Sequence, residues 1–181
     1  MINRVIVLWV ILAWLEAAQA LQAKKERPEY EVKAAGIKLV SSLIKWPDKA
    51  FEKANSPFRI GLVGKDHFNG YLDKLQGKIV WGREIVLTKV ADASKVEDLK
   101  GCHVVFVSES EDESLGDILK AFKNRPTLLM GDKKGFGARG VGINFFLADD
   151  TTLRFELNTE AAEAAGLTLT NEVIKVGDPP K

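Results

Sequence analysis

Apolar and polar positions alternate in three ways along the chain, and each predicts a different element. Tyr30, Ala34, Ile37, Val40, Leu43 and Ile44 recur at close to 3.6 residues, which predicts a helix over 30–44. Trp46-Pro47 ends it, because proline disfavours helical geometry in the residue before it. Phe58–Val63, 103–107 and 127–130 are short, nearly continuous apolar runs, the pattern of strands buried on both faces. A helix is expected over 68–75, extended chain over 78–90 with a break at Gly82, and a helical turn at 96–99. Ser110-Glu111-Asp112-Glu113 has the Ser-x-x-Glu spacing of a capping box, so a further helix is expected from there to Phe122.

Over 142–148 and 151–157 the period falls to two. Ile143, Phe145 and Leu147 share one face of the first segment, and Leu153, Phe155 and Leu157 one face of the second. The two sets reach the same side only if an odd number of residues joins them. A three-residue loop or a bulge is therefore expected around Asp149-Asp150, with Phe145 opposite Phe155 and Asn144 opposite Glu156. A last helix follows over 159–165. This order predicts a three-layer α/β/α domain with a mostly parallel sheet and a C-terminal antiparallel hairpin at the edge.

The first twenty residues change that picture only by dropping out of it. One positive charge in Met1–Arg4, an apolar run from Val5 to Leu15 and the small-x-small site Ala18-Gln19-Ala20 form the signal-peptide pattern. The run is too short for a membrane span, which needs about 20 residues. Export to the periplasm is expected, with 21–181 as one domain. Charge is balanced, Lys plus Arg 26 against Asp plus Glu 25, so nothing points to nucleic acid. The single cysteine, Cys102, excludes an intramolecular disulfide. It fits a buried, inert thiol, or else an intermolecular disulfide or a redox-sensitive site.

Candidate chemistry is sparse. Gly135-Phe136-Gly137-Ala138-Arg139-Gly140 spells G-x-G-x-x-G, but a strand rather than a helix follows, so no helix N-terminus is available for a pyrophosphate. The glycines suit a solvated turn. Lys133, Lys134 and Arg139 could alternatively hold an anion there. His67 and His103 lack the convergent partners of a metal site. No nucleophile elbow or phosphate-binding loop is present, so no residue is assigned catalysis and no cofactor or metal is expected. Loops leaving the carboxyl ends of the parallel strands place Asp66, His67, Ser108 and Asp132 around one crevice, as ligand-binding residues or as caps of turns and helices. Asn144, Arg154, Glu156 and Asn158 share the other face of the hairpin, as a partner-facing or ligand-facing surface or as pairing that holds the edge.

The order of short motifs resembles the YfiR family. Tyr30-Glu31-Val32-Lys33-Ala34-Ala35 with Trp46-Pro47 is similar to its opening helix, and 57–64 to its first strand. Gly82-Arg83, the Cys102-His103 strand, Gly131-Asp132, Gly135-Phe136, Gly142-Ile143-Asn144-Phe145, Arg154–Asn158 and Ala165-Gly166-Leu167 follow in the family's sequence. The resemblance spans roughly residues 29 to 175. It implies a periplasmic regulator that represses an inner-membrane diguanylate cyclase through its sensor domain, and so controls cyclic di-GMP signalling and biofilm formation. It also implies homodimers in some members and sequestration by an OmpA-like lipoprotein. A periplasmic small-molecule sensor is the alternative. The intramolecular disulfides of well-known members have no counterpart, since Cys102 is alone.

Overall fold

The computed structural model describes residues 28–148 and 152–180. The segment 1–20, expected to be a signal peptide, and the hairpin tip at Asp149-Asp150 lie outside the described residues.

Helix α1, Glu29–Leu43, opens after Pro28 with Glu29 and Glu31 in its first turn, where carboxylates complement the helix dipole. It buries Ala34, Ile37 and Val40 on the face set by the 3.6 period. Ile44–Lys45 forms strand β1 instead of the last helical turn, pairing antiparallel with the late strand β9, Thr168–Leu169. The carbonyl of Ser41, near the end of α1, accepts from two indoles, Trp46 Nε1 at 3.2 Å and Trp81 Nε1 at 3.1 Å. These contacts satisfy one of the acceptors that a helix C-terminus leaves open.

The main sheet has seven strands. They are β2 (Phe58–Val63), β3 (Ile79–Val80), β4 (Arg83–Val90), β5 (Val104–Val107), β6 (Leu128–Gly131), β7 (Ile143–Leu147) and β8 (Leu153–Leu157), in spatial order β3-β4-β2-β5-β6-β7-β8. Strands β4, β2, β5, β6 and β7 are parallel, with β3 and β8 antiparallel at the two edges. The parallel strands thus follow the doubly wound order 2-1-3-4-5, whose switch point lies between β2 and β5. Both faces are covered, which explains the continuous apolar runs. Ile60, Phe106, Met130 and Ile143 pack toward α1. Val105, Val107 and Leu129 pack toward helix α2, Leu115–Phe122, through its Leu115, Ile118 and Phe122. Helices α3 (Thr159–Ala164) and α4 (Asn171–Val176) close the domain.

The hairpin register follows the parity of its apolar residues: Phe145 pairs with Phe155 and Asn144 with Glu156. The Ala148 N–H donates to the Thr152 carbonyl at 3.0 Å, so three residues separate the last bonded positions. Two helical expectations are corrected. Over 68–75 only Asp73–Leu75 is helical, as a 3-10 turn, because Asn69 and Gly70 adopt φ of 49° and 83° and break the run. The Ser110 capping box does not form. Ser110 Oγ accepts instead from Lys65 N at 3.0 Å, Glu109–Glu111 is a 3-10 turn, and α2 starts only at Leu115.

Candidate functional site

At the switch point the protein fills its own crevice. The chain leaves β2 through Gly64, whose φ of +95° lets the loop turn beneath the β5 loop. Ser110 Oγ donates to Glu111 Oε1 at 3.0 Å, and Glu111 Oε2 accepts from Ala93 N at 3.0 Å. Glu111 is buried and spans the gap between two loops, a role its place in an acidic run gave no sign of. Asp66 is engaged locally: Oδ1 accepts from Phe68 N at 2.8 Å and Oδ2 pairs with Lys89 at 2.8 Å. Ser108 is buried at the end of β5. His67 stacks on Tyr30 with ring centroids 5.7 Å apart, and its Nε2 lies 3.8 Å from Glu109 Oε1.

Asp132 sits elsewhere along the strand ends, under the start of α1. Its Oδ2 accepts from Tyr30 Oη and from Lys33 Nζ, each at 2.8 Å. Lys33 is itself buried, pairs with Glu29 at 2.5 Å, and lies 4.2 Å from the Tyr30 ring centroid. Burial raises the Tyr30 phenol well above its ordinary pKa, and the Asp132 charge adds to the effect. Tyr30 thereby joins His67 to Asp132. The periodicity did carry a signal for Lys33, which stands four residues before Ile37 on the buried stripe.

Strand β6 pairs with β7 only at Met130–Ile143 and Gly131–Asn144, so the distal half of β7 has no strand beside it on that side. The resulting cleft is a cavity of about 800 Å³. Asp132, Asn144, Arg154 and Glu156 all line it, together with Lys33 and Phe146. Residues from the two predicted groups therefore meet at one site, while Asp66, His67 and Ser108 do not line it. Asn144 and Glu156 are buried and Arg154 is exposed.

The same polar face of the hairpin clamps the glycine-rich loop. Asn144 Nδ2 donates to the Lys133 carbonyl at 2.9 Å and to Glu156 Oε2 at 3.1 Å. Asn158 Nδ2 donates to the Gly137 carbonyl at 2.9 Å, while Asn158 Oδ1 caps α3 by accepting from Ala161 N at 2.9 Å. Gly137 lies so close to Glu156 that a Cβ there would come within 2.5 Å of Oε2. Two of the three cations considered for an anion are already committed. Lys133 pairs with Asp112 at 2.7 Å, and Arg139 pairs with the same carboxylate. Those two cations lower the pKa of Asp112. Among the described residues no three His, Cys, Asp or Glu side chains converge as a metal site.

The sequence profile of the YfiR/HmsC-like family matches residues 30–178, from Tyr30 of this cluster to the strand-edge residue Asp178. The chain belongs to the YfiR/HmsC-like family. No curated protein sequence matches it. Among solved structures it is similar to a conserved domain protein from Vibrio cholerae O1 biovar El Tor, at 13% identity and a TM-score of 0.54. The match covers 84% of this chain and 60% of that one, so it bears on the fold alone.

Two further features of this YfiR/HmsC-like chain lie away from the cavity. At the amino ends of the strands, His103 is sandwiched between Phe51 and Phe58 at centroid distances of 4.6 and 4.8 Å, and its Nδ1 accepts from Arg59 N at 3.0 Å. Burial pushes its imidazole down to about 4. Burial pushes the neighbouring Cys102 thiol up to about 11, the environment of an inert cysteine. At the other side of the sheet, Trp81 and Gly82 form the two-residue turn between β3 and β4, with φ of 53° and 71°. That is the type I′ geometry, which favours Asn, Asp or Gly at its first position. The Trp81 indole is half exposed, as are Ile79 beside it and Leu39 on α1.

Proposed function

We propose that the chain is a periplasmic regulator that binds a membrane-bound signalling protein, a diguanylate cyclase by family analogy, and holds its sensor domain in the inactive state. Family membership carries this reading. Among the described residues no helix is long and apolar enough to cross a membrane. The contact surface includes Trp81, Ile79 and Leu39. Tryptophan is enriched at binding hot spots, and a bulky residue kept in a left-handed turn is a local cost that points to function.

The test combines capture with a variant. Tagged residues 21–181 are used to recover partners from native membranes. A diguanylate cyclase in the eluate, with lower cyclase activity when the domain is added, supports the reading. Trp81→Asn removes the indole and suits the turn. It is expected to leave the melting temperature equal or higher, since left-handed backbone costs a bulky residue about 1–2 kcal/mol, and to abolish recovery of the cyclase. Folded domain that neither recovers nor inhibits a cyclase overturns the proposal.

A second reading is supported by the 800 Å³ cavity at the carboxyl ends of β6 and β7. It makes the domain a small-molecule sensor whose ligand biases partner binding.

A further inference from the structure

The cavity between α1 and the β7–β8 hairpin carries a one-sided demand for hydrogen bonds. The Asp132 side chain is 3% exposed, and its Oδ2 is engaged by Tyr30 and Lys33 while Oδ1 has no partner. Asn144 is buried, and its amide orientation is fixed because Nδ2 donates to two acceptors, the Lys133 carbonyl and Glu156 Oε2. That leaves Asn144 Oδ1 as a second buried atom without a partner. Both orphans are acceptors, and a buried acceptor without a donor is destabilising. Charge among the buried groups runs in the same direction, while the exposed Lys134 and Arg154 also line the cavity. Lys33 serves two carboxylates at once, Glu29 and Asp132, so that group is negative by one. The buried Glu156 carboxylate accepts from the neutral amide of Asn144.

We propose that this cavity binds a small organic cation, a primary amine or guanidinium compound, whose charged head donates to Asp132, Asn144 and Glu156. The proposal deepens the small-molecule reading above and rests on it. An ammonium group brings three donors and a guanidinium five, all N–H and no acceptor, which matches the two unpartnered acceptors Asp132 Oδ1 and Asn144 Oδ1. The carbon stem lies against Phe146 and Leu147 at the outer half of β7. The volume of about 800 Å³ falls within the range of small-molecule sites, about 300–1,000 Å³. A carboxylate or phosphate ligand would bring further acceptors to atoms that already lack donors. A neutral alcohol would donate without offsetting the negative charge.

Isothermal titration calorimetry on the isolated domain, at physiological ionic strength, tests the class directly. The probes are 1,4-diaminobutane and agmatine, with acetate and 1,4-butanediol as the anionic and neutral comparisons. Saturable binding of an amine is expected, at one per chain, weakened at least tenfold in Glu156→Gln and in Asp132→Asn. Asp132→Asn also touches the anchors of α1, so circular dichroism and a melting curve accompany both variants. Glu156→Gln keeps an acceptor for Asn144 Nδ2 and decides the matter if Asp132→Asn does not fold. Amine binding unchanged in the folded variants overturns the site. Preferential binding of acetate or the diol overturns the cationic class and leaves a ligand cavity standing. Folded protein that binds none of the four overturns this proposal and removes support from the sensor reading together.

Discussion

Acid should destabilise this domain through His103 in a way that can be isolated. The imidazole is 4% exposed, held between Phe51 and Phe58, and accepts a hydrogen bond at Nδ1, so the neutral form is the one that fits. Burial is the main cause of its low pKa, the Arg83 and Arg59 charges add to it, and the bond accepted at Nδ1 needs the unprotonated nitrogen. The native value of about 4 lies below the ordinary 6.5, so the unfolded chain binds the proton first as pH falls. Stability is therefore fully present above the unfolded value and is lost on acidification from about pH 6.5 down to about pH 4. At about 1.4 kcal/mol per tenfold change in acidity constant, the gap is worth about 3 kcal/mol. About 2 kcal/mol of it has gone by pH 5. For a domain stable by about 5–15 kcal/mol this is a large share. Urea denaturation at a series of pH values, on wild type and His103→Asn, reads it out. Asparagine can present an oxygen to Arg59 N and does not titrate, so the variant is weaker at neutral pH but loses less on acidification. Parallel pH profiles for the two proteins would refute the reasoning. So would a His103 pKa at or above 6 from ring-carbon NMR.

Gly64→Ala should cost at least 2 kcal/mol in chemical denaturation, since left-handed backbone alone costs about 1–2 kcal/mol. Its Cβ would also meet Ser110 Oγ at 2.5 Å and Glu111 Cγ at 2.8 Å. Near-neutral stability would show that the switch-point crevice is looser than described. Cys102 should resist thiol reagents in native protein at pH 8 and react freely once unfolded, because its thiol is held near 11. Rapid native labelling, or a disulfide-linked dimer under mild oxidation, would revive the redox-sensitive reading of this residue.

How much could be read from the chain varied with the range of the interaction. The β7–β8 register rests on alternation within fifteen residues, and parity alone placed Phe145 against Phe155. The buried strands announced themselves because both faces of β5 and β6 are covered. The helix expected over 68–75 failed locally, at Asn69 and Gly70, where two left-handed residues outweigh the apolar spacing. Ser110 failed for a tertiary reason: its hydroxyl serves Lys65, forty-five positions away, instead of its own helix. The site shows the same division. Asp132, Asn144, Arg154 and Glu156 could be named from strand ends and shared faces. Tyr30 and Lys33 could not be tied to Asp132, because 102 and 99 residues of chain separate them.

Beyond residue 20 the only tryptophans are Trp46 and Trp81, and both indoles rest on the Ser41 carbonyl. The ultraviolet emission of residues 21–181 therefore comes from a single locus, the junction of α1 with the β3–β4 turn. The chain carries a built-in optical reporter at the surface proposed for its partner, and docking there can be followed as a shift in emission wavelength without any added dye.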